Sequence, residues 1–188
     1  MRKQHYLTIS QRDSDAFHLL LNCNCCLHSH LLNFASENRI RSYLKEKLIE
    51  RVDMQDRFVY RLTDKGFKAF SREITPENFR YHSNSIEHDI ALAQKYVSVM
   101  TQDPFSVWRN EQDLKHDRQE QVDFLREQGR FHDAERLLHT SVPDCSITMS
   151  HGISYGFDIT TEHYTSEDVQ LKEDFCSEMG MEFHYERI

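Results

Sequence analysis

The sequence predicts an α+β protein in two parts: three helices followed by a β-hairpin, then helices alternating with the strands of a small mixed sheet. Three observations predict it. Apolar residues fall at helical spacing up to Leu48 and in short alternating runs from Ile49 to Leu62, the periods of a helix and of a half-buried strand. Beyond residue 83 the order of patterns is helix, strand, charged helical insertion, strand, strand, helix and strand, elements that build a small sheet flanked by helices. Charge divides at the same place. Residues 1–82 hold 14 Lys and Arg against 10 Asp and Glu, a net of +4, whereas residues 83–188 hold 9 against 21, a net of −12. The polar segment around Pro76 has no periodicity, so the expected division is a first domain over 1–75, a linker over 76–82 and a second domain over 83–188.

In the first domain, Ser10 is placed to cap a helix over 8–22 that carries Ala16, Phe17, Leu19, Leu20 and Leu21. A second short helix covers 27–35. Ser36-Glu37-Asn38 opens a third over 39–48, with Ile40, Tyr43, Leu44 and Leu48 on one face and Arg39, Arg41, Lys45 and Lys47 left to solvent. Ile49, Val52, Phe58, Tyr60 and Leu62 mark two strands joined by a polar turn, and Thr63 caps a last helix bearing Phe67, Ala69 and Phe70. Three helices and a hairpin are the order of a winged helix-turn-helix, whose third helix enters the major groove while Arg57 on the wing touches phosphate. Winged helices also serve as protein-interaction modules. Here the basic charge gathers on the third helix, which favours double-stranded DNA as the partner.

Composition narrows the compartment. No apolar run is long enough to cross a bilayer, and the N-terminal stretch lacks the apolar core of a signal peptide, so the expected location is the cytoplasm. Five cysteines, three of them crowded at Cys23, Cys25 and Cys26, do not form a disulfide framework. Cys23 and Cys26 make a CxxC with His28 and His30 close behind, yet no second ligand pair of similar spacing follows; a half-buried helix hairpin explains them better than zinc.

The second domain opens with a broad apolar stripe over 83–102, followed by a short strand over 105–109 and a charged helical stretch over 111–138 in two pieces around Gly129. Pro143 and Asp144 then start a hairpin that turns at His151-Gly152 and returns through Phe157-Asp158-Ile159-Thr160. Alternation sends Asp158 and Thr160 to one face and Phe157 and Ile159 to the other. A helix over 166–179 and an alternating strand close the chain. Asp144 and Asp158, one hairpin apart, are candidate catalytic carboxylates, and with Glu87 from the long helix they are candidate ligands for Mg²⁺ or Mn²⁺. An Asp after Pro is also common turn chemistry. Single Trp108 reads as core, and His88 as a packing residue.

Acids on a first helix, at the start of one strand and on the next are also the arrangement of restriction-endonuclease-like nucleases. The order Leu7-Thr8 with Arg12-Asp13, the winged helix, His88-Asp89-Ile90, Trp108-Arg109-Asn110-Glu111, Val142-Pro143-Asp144 and Phe157-Asp158-Ile159 resembles the plasmid replication-relaxation family and the related MobC-type relaxases of mobilisable plasmids. That resemblance spans nearly the whole chain. It implies a winged helix fused to a degenerate restriction-endonuclease-like domain acting at transfer or replication origins, with other transfer or replication proteins as partners and a homodimer as one assembly. The family carries acid-x-acid or acid-x-Lys on the second strand, and here Thr160 stands in the third place; Glu162 and Lys172 are the residues that could substitute. The expected function is therefore a mobile-element DNA-binding protein of relaxase or origin-processing type with metal-dependent strand nicking. Its rival is a non-catalytic regulator or accessory factor that keeps the second domain for dimerisation or partner binding. Acids far apart, or a lysine bridging both, would favour the rival.

Overall fold

A computed structural model describes residues 11–54, 56–71, 79–162 and 164–188. Among these residues the protein is a mixture of helices and two sheets, divided into two compact units: Met1–Pro76 with His82–Val97, and Glu77–Tyr81 with Ser98–Ile188. Leu7, Thr8, the expected cap Ser10, linker residues 76–78 and the side chain of Arg12 lie outside the described residues. No helix among the described residues is long and apolar enough to cross a membrane.

The first unit runs α1 (Gln11–Cys23), β1 (Cys25–Leu27), α2 (His28–Leu31), α3 (Glu37–Lys45), β2 (Ile49–Asp53), β3 (Phe58–Leu62), α4 (Asp64–Phe70) and most of α5 (Ile86–Gln102). Strand β3 is central in the order β1-β3-β2 and antiparallel to both neighbours, with Cys26 opposite Tyr60 and Val52 opposite Val59. The expected hairpin is thus present, joined by a strand the spacing did not reveal. Three residues are too few to show a period of two, and what makes Cys25–Leu27 a strand is its pairing with β3, 30-odd residues away. All five cysteines are buried and none is in a disulfide. The aromatic core joins α1, α3 and α4 through Phe17, whose ring centroid lies 5.1 Å from Tyr43 and 4.9 Å from Phe70. Thr63 caps α4 as expected, its hydroxyl accepting from the Gly66 amide at 3.0 Å. A Cβ at Gly66 would fall 1.9 Å from the Leu48 carbonyl oxygen, so only glycine lets α4 pack against the start of β2.

Two expectations about this unit change. The second domain was expected to start at residue 83, yet residues 82–97 group with the first unit. The cause is Asp89, 1% exposed, which accepts from the Asn24 side-chain amide at 2.7 Å and from Ser83 Oγ at 2.5 Å, with Cys25 Sγ at 3.5 Å. His30 meets Gln94 in the same way at 3.1 Å. Arg39 is also not a free basic residue. Its guanidinium forks onto Asp13, Nε to Oδ1 at 2.5 Å and Nη2 to Oδ2 at 2.6 Å, and the Tyr43 hydroxyl donates to the same carboxylate. Asp13 is 1% exposed, so its charge needs that fork.

The second unit contains the end of α5, then β4 (Val107–Asn110), α6 (Glu111–Glu127), α7 (Phe131–Leu138), β5 (Cys145–Thr148), β6 (Ser154–Thr160), α8 (Ser166–Glu178) and β7 (Glu182–Arg187). The sheet order is β4-β5-β6-β7. The first three strands are antiparallel, and β7 returns parallel to β6 after α8, giving the expected mixed sheet. Asn110 ends β4 and caps α6 in a capping box with Asp113. Gly129, at φ +73, separates α6 from α7, and Gly152, at φ +90, makes the turn of the β5–β6 hairpin. Leu114, Val122, Leu125, Leu137, Phe175 and Cys176 form one apolar cluster from α6, α7 and α8. Strand β6 has a neighbour on each edge and is buried on both faces from Gly156 to Thr160, so Asp158 is not on a solvated face.

Arg39→Ala leaves the buried Asp13 carboxylate without its guanidinium, and breaking such a pair costs about 3 kcal/mol. Chemical denaturation of the full chain should show that loss, with Arg39→Lys intermediate because an ammonium cannot fork; an unchanged midpoint for Arg39→Ala would contradict the structural role.

Candidate functional site

Asp144 stands immediately before β5, and Asp158 lies in β6, one register step beyond the pair Cys145 and Phe157. The pairing brings them together. The Asp144 amide donates to Asp158 Oδ1 at 3.0 Å, and the Ile159 amide donates to Asp144 Oδ2 at 2.7 Å. Each carboxylate is therefore fixed by the backbone of the other strand. Lys172, two turns into α8, donates through Nζ to Asp158 Oδ1 and to the Tyr164 hydroxyl, the latter at 2.9 Å. Asp158 is fully buried and Lys172 is 7% exposed.

Close packing places that lysine. A Cβ at Gly156 would lie 2.3 Å from Cys176 Sγ and 3.1 Å from Pro143 Cγ, so the bare glycine lets α8 and the Pro143 turn close on β6 together. Cys176 is one helical turn from Lys172, on the same side of α8. Thr165 and Asp168 cap the helix start reciprocally. Between these elements opens a cavity of about 440 Å³ lined by Glu111, Asp144, Tyr164, Asp168 and Lys172 among others. Asp158 is not part of its lining; it sits hydrogen-bonded to Lys172 and Asp144.

The charges are in tension. Burial, and then the negative charge of Asp144, push the Asp158 carboxyl up to about 6, against the pull of Lys172. Burial alone would lower Lys172, but the two carboxylates and its hydrogen bonds to Asp158 and Tyr164 hold it above the ordinary lysine range. Tyr164 is raised, chiefly by desolvation. One lysine head thus stands beside two carboxyl groups, with Glu111 at the cavity wall. Glu111 itself meets Lys115 at 2.8 Å.

Of the residues expected in the site, Asp144 and Asp158 are brought together within the second unit. Glu87 belongs to the first unit and pairs there with Arg57, so the expected third ligand and the expected wing contact are committed to each other. The helical acid that lines the cavity is Glu111 instead. On α3, Arg41 and Lys45 are exposed as expected, Arg41 sharing an i,i+4 pair with Glu37 at 3.3 Å. Lys47 falls past the end of the helix at φ 56, in the turn into β2. Gly156 is the site residue that the sequence does not single out; Glu111, just past a strand, and Lys172, as a substitute for the missing strand residue, are both within its reach. A lysine midway along a polar helix looks solvated until the helix is docked.

No protein-family model, curated protein or solved structure matches the chain. The fit of a divalent cation therefore rests on the donors present. Among the described residues, no group of three or more His, Cys, Asp or Glu is placed to hold a metal. Mg²⁺, however, is often held by only one or two carboxylates, with water and substrate phosphate completing its shell. Two facts suit that mode. Asp144 lines the cavity, and Asp158 Oδ2 is buried with no hydrogen-bond partner among the described residues, a vacant acceptor that a native structure rarely keeps without reason.

The Asp158 carboxyl titrates above its unfolded value of about 3.9, so its contribution to stability is complete below that value and is lost as pH rises through about 6. Measured without metal by urea denaturation, the stability difference between wild type and Asp158→Asn should move against the wild type between about pH 4 and pH 7. A difference that moves in favour of the wild type over that range would mean that Lys172 outweighs burial and the neighbouring Asp144.

Proposed function

We propose that the protein is a DNA-processing factor whose first unit binds duplex DNA and whose second unit cleaves a phosphodiester bond with the help of a divalent cation. The observation that carries the reading is the interlock of Asp144, Asp158 and Lys172 beside an open cavity. Two acids and a lysine are the set that the resemblance to restriction-endonuclease-like relaxases implies. The lysine here comes from α8 instead of the strand, which accounts for Thr160 in the place where it was expected. A single ammonium pairing with Asp158 does not cancel two carboxylates, so the lysine is a partner of the acids and not their replacement.

Asp144 and Asp158, with Glu111 at the wall, would hold Mg²⁺ or Mn²⁺. Bound there, the cation supplies Lewis-acid stabilisation of charge on the phosphate. Lys172 sets a positive charge, already held in place, where a phosphate oxygen gains negative charge. The second half of the chain carries −12, which repels DNA unless such cations offset it. In the first unit the helix order and the sheet order β1-β3-β2 support a winged helix, with Arg41 and Lys45 on the exposed face of α3 as phosphate contacts. Buried thiols outside any disulfide suit the reducing cytoplasm.

A second reading has its own observation. The absence of a three-acid group among the described residues, with Lys172 already seated on Asp158, supports a regulator whose second unit is a catalytically silent partner-binding domain. One assay separates the two: supercoiled plasmid bearing the cognate origin, incubated with and without Mn²⁺. The nuclease reading expects metal-dependent open circles from the wild type, at least about 100-fold fewer from Asp144→Ala, and a raised melting temperature with Mn²⁺ in the wild type alone. No nicking and no melting shift would give the regulator precedence. In the same preparations, Arg41→Ala with Lys45→Ala should weaken duplex binding and reduce the salt slope by about 2; an unchanged titration would remove α3 from the interface.

A further inference from the structure

Tyr164 is a cavity residue to which the cleavage reading gives no task. It lies in the turn between β6 and α8, its amide donating to the Thr161 carbonyl at 3.2 Å, and its hydroxyl accepts from Lys172 Nζ at 2.9 Å. The ammonium also stands 4.9 Å from the centre of the Tyr164 ring, within the range of a cation–π contact. The tyrosine thus meets the lysine at its head and not along its stem.

An ammonium has three N–H donors. Asp158 Oδ1 takes one and Tyr164 Oη takes another. A lysine head on a flexible four-carbon stem is fixed in direction only when it is held at more than one point. Held at two, its remaining N–H has one direction left, and Lys172 lines the cavity. With Asp158 alone the head could swing about that single bond, and the third donor would have no set aim.

We propose that Tyr164 is a positioning residue: together with Asp158 it orients the Lys172 ammonium so that one N–H is free to donate to a phosphate oxygen in the cavity. What that N–H meets rests on the phosphodiester reading. How the ammonium is held does not.

The test uses the full chain labelled with ¹⁵N-lysine. An ammonium with two fixed acceptors and little solvent contact exchanges slowly with water and gives a resolved ¹⁵Nζ signal, assigned by its loss in Lys172→Met. Tyr164→Phe keeps the ring and removes only the acceptor, so the signal should broaden away or exchange about tenfold faster or more, while the Mn²⁺-induced melting shift stays. Nicking by Tyr164→Phe should fall about ten- to a hundredfold, and adding Tyr164→Phe to Lys172→Met should cost nothing further. A Lys172 signal unchanged in Tyr164→Phe, or no such signal in the wild type, overturns the proposal whatever the activity. Independent, multiplying losses in the double variant also overturn it, since they would mean that Tyr164 does not act through the lysine. A wild type that does not nick removes the phosphodiester reading alone, and the ammonium signal still decides how Lys172 is held.

Discussion

The reciprocal bonds between Asp144 and Asp158 are the constraint on which the second unit's buried charges depend. Each carboxylate accepts a backbone N–H from the strand that carries the other, so neither can move without disturbing the β5–β6 register. Holding two acids this close and this deeply buried is unfavourable without a positive charge. Lys172 supplies it from α8, and the helix can come near enough only because Gly156 has no side chain to meet Cys176. Strand pairing, helix packing and charge therefore converge on one arrangement. The lysine donates to Asp158 Oδ1, so a single ammonium is seated beside the two interlocked carboxylates.

The first unit handles charge differently. Its net positive charge is partly spent internally: Arg39 neutralises the buried Asp13, and Arg57 pairs with Glu87. Arg41 and Lys45 are left exposed on α3. A basic composition thus overstates the positive charge left at the surface, and the buried fork at Asp13 means that substituting Arg39 would disturb the fold.

Much of the fold was legible because its signals are local. The Thr63 cap, the break at Gly129 and the Gly152 turn are set by residues within a few positions of one another. Strand β1 was not legible, since its three residues become a strand only by pairing with β3. The placement of α5 was hidden for the same reason: Asp89 looks like a helix-face acid until Asn24 and Ser83 close on it. In the site, Pro143-Asp144 and Asp158 could be found because a hairpin fixes their spacing. For Glu87, a long amphipathic helix offers an acid at every turn, and sequence does not say which one a partner will claim; in the structure Arg57 claims it. Lys172 could be named as a substitute for the missing strand lysine, but its choice over Glu162 depends on how α8 docks.

The central claim is that the carboxylates of Asp144 and Asp158 hold a divalent cation. Anomalous scattering from crystals of the full chain soaked in MnCl₂ tests it most directly. The account predicts a manganese peak against Asp144 and Asp158 at the Glu111 side of the cavity, absent from Asp144→Ala crystals. Well-ordered crystals with no peak there, and Lys172 still seated on Asp158 at saturating Mn²⁺, would contradict it.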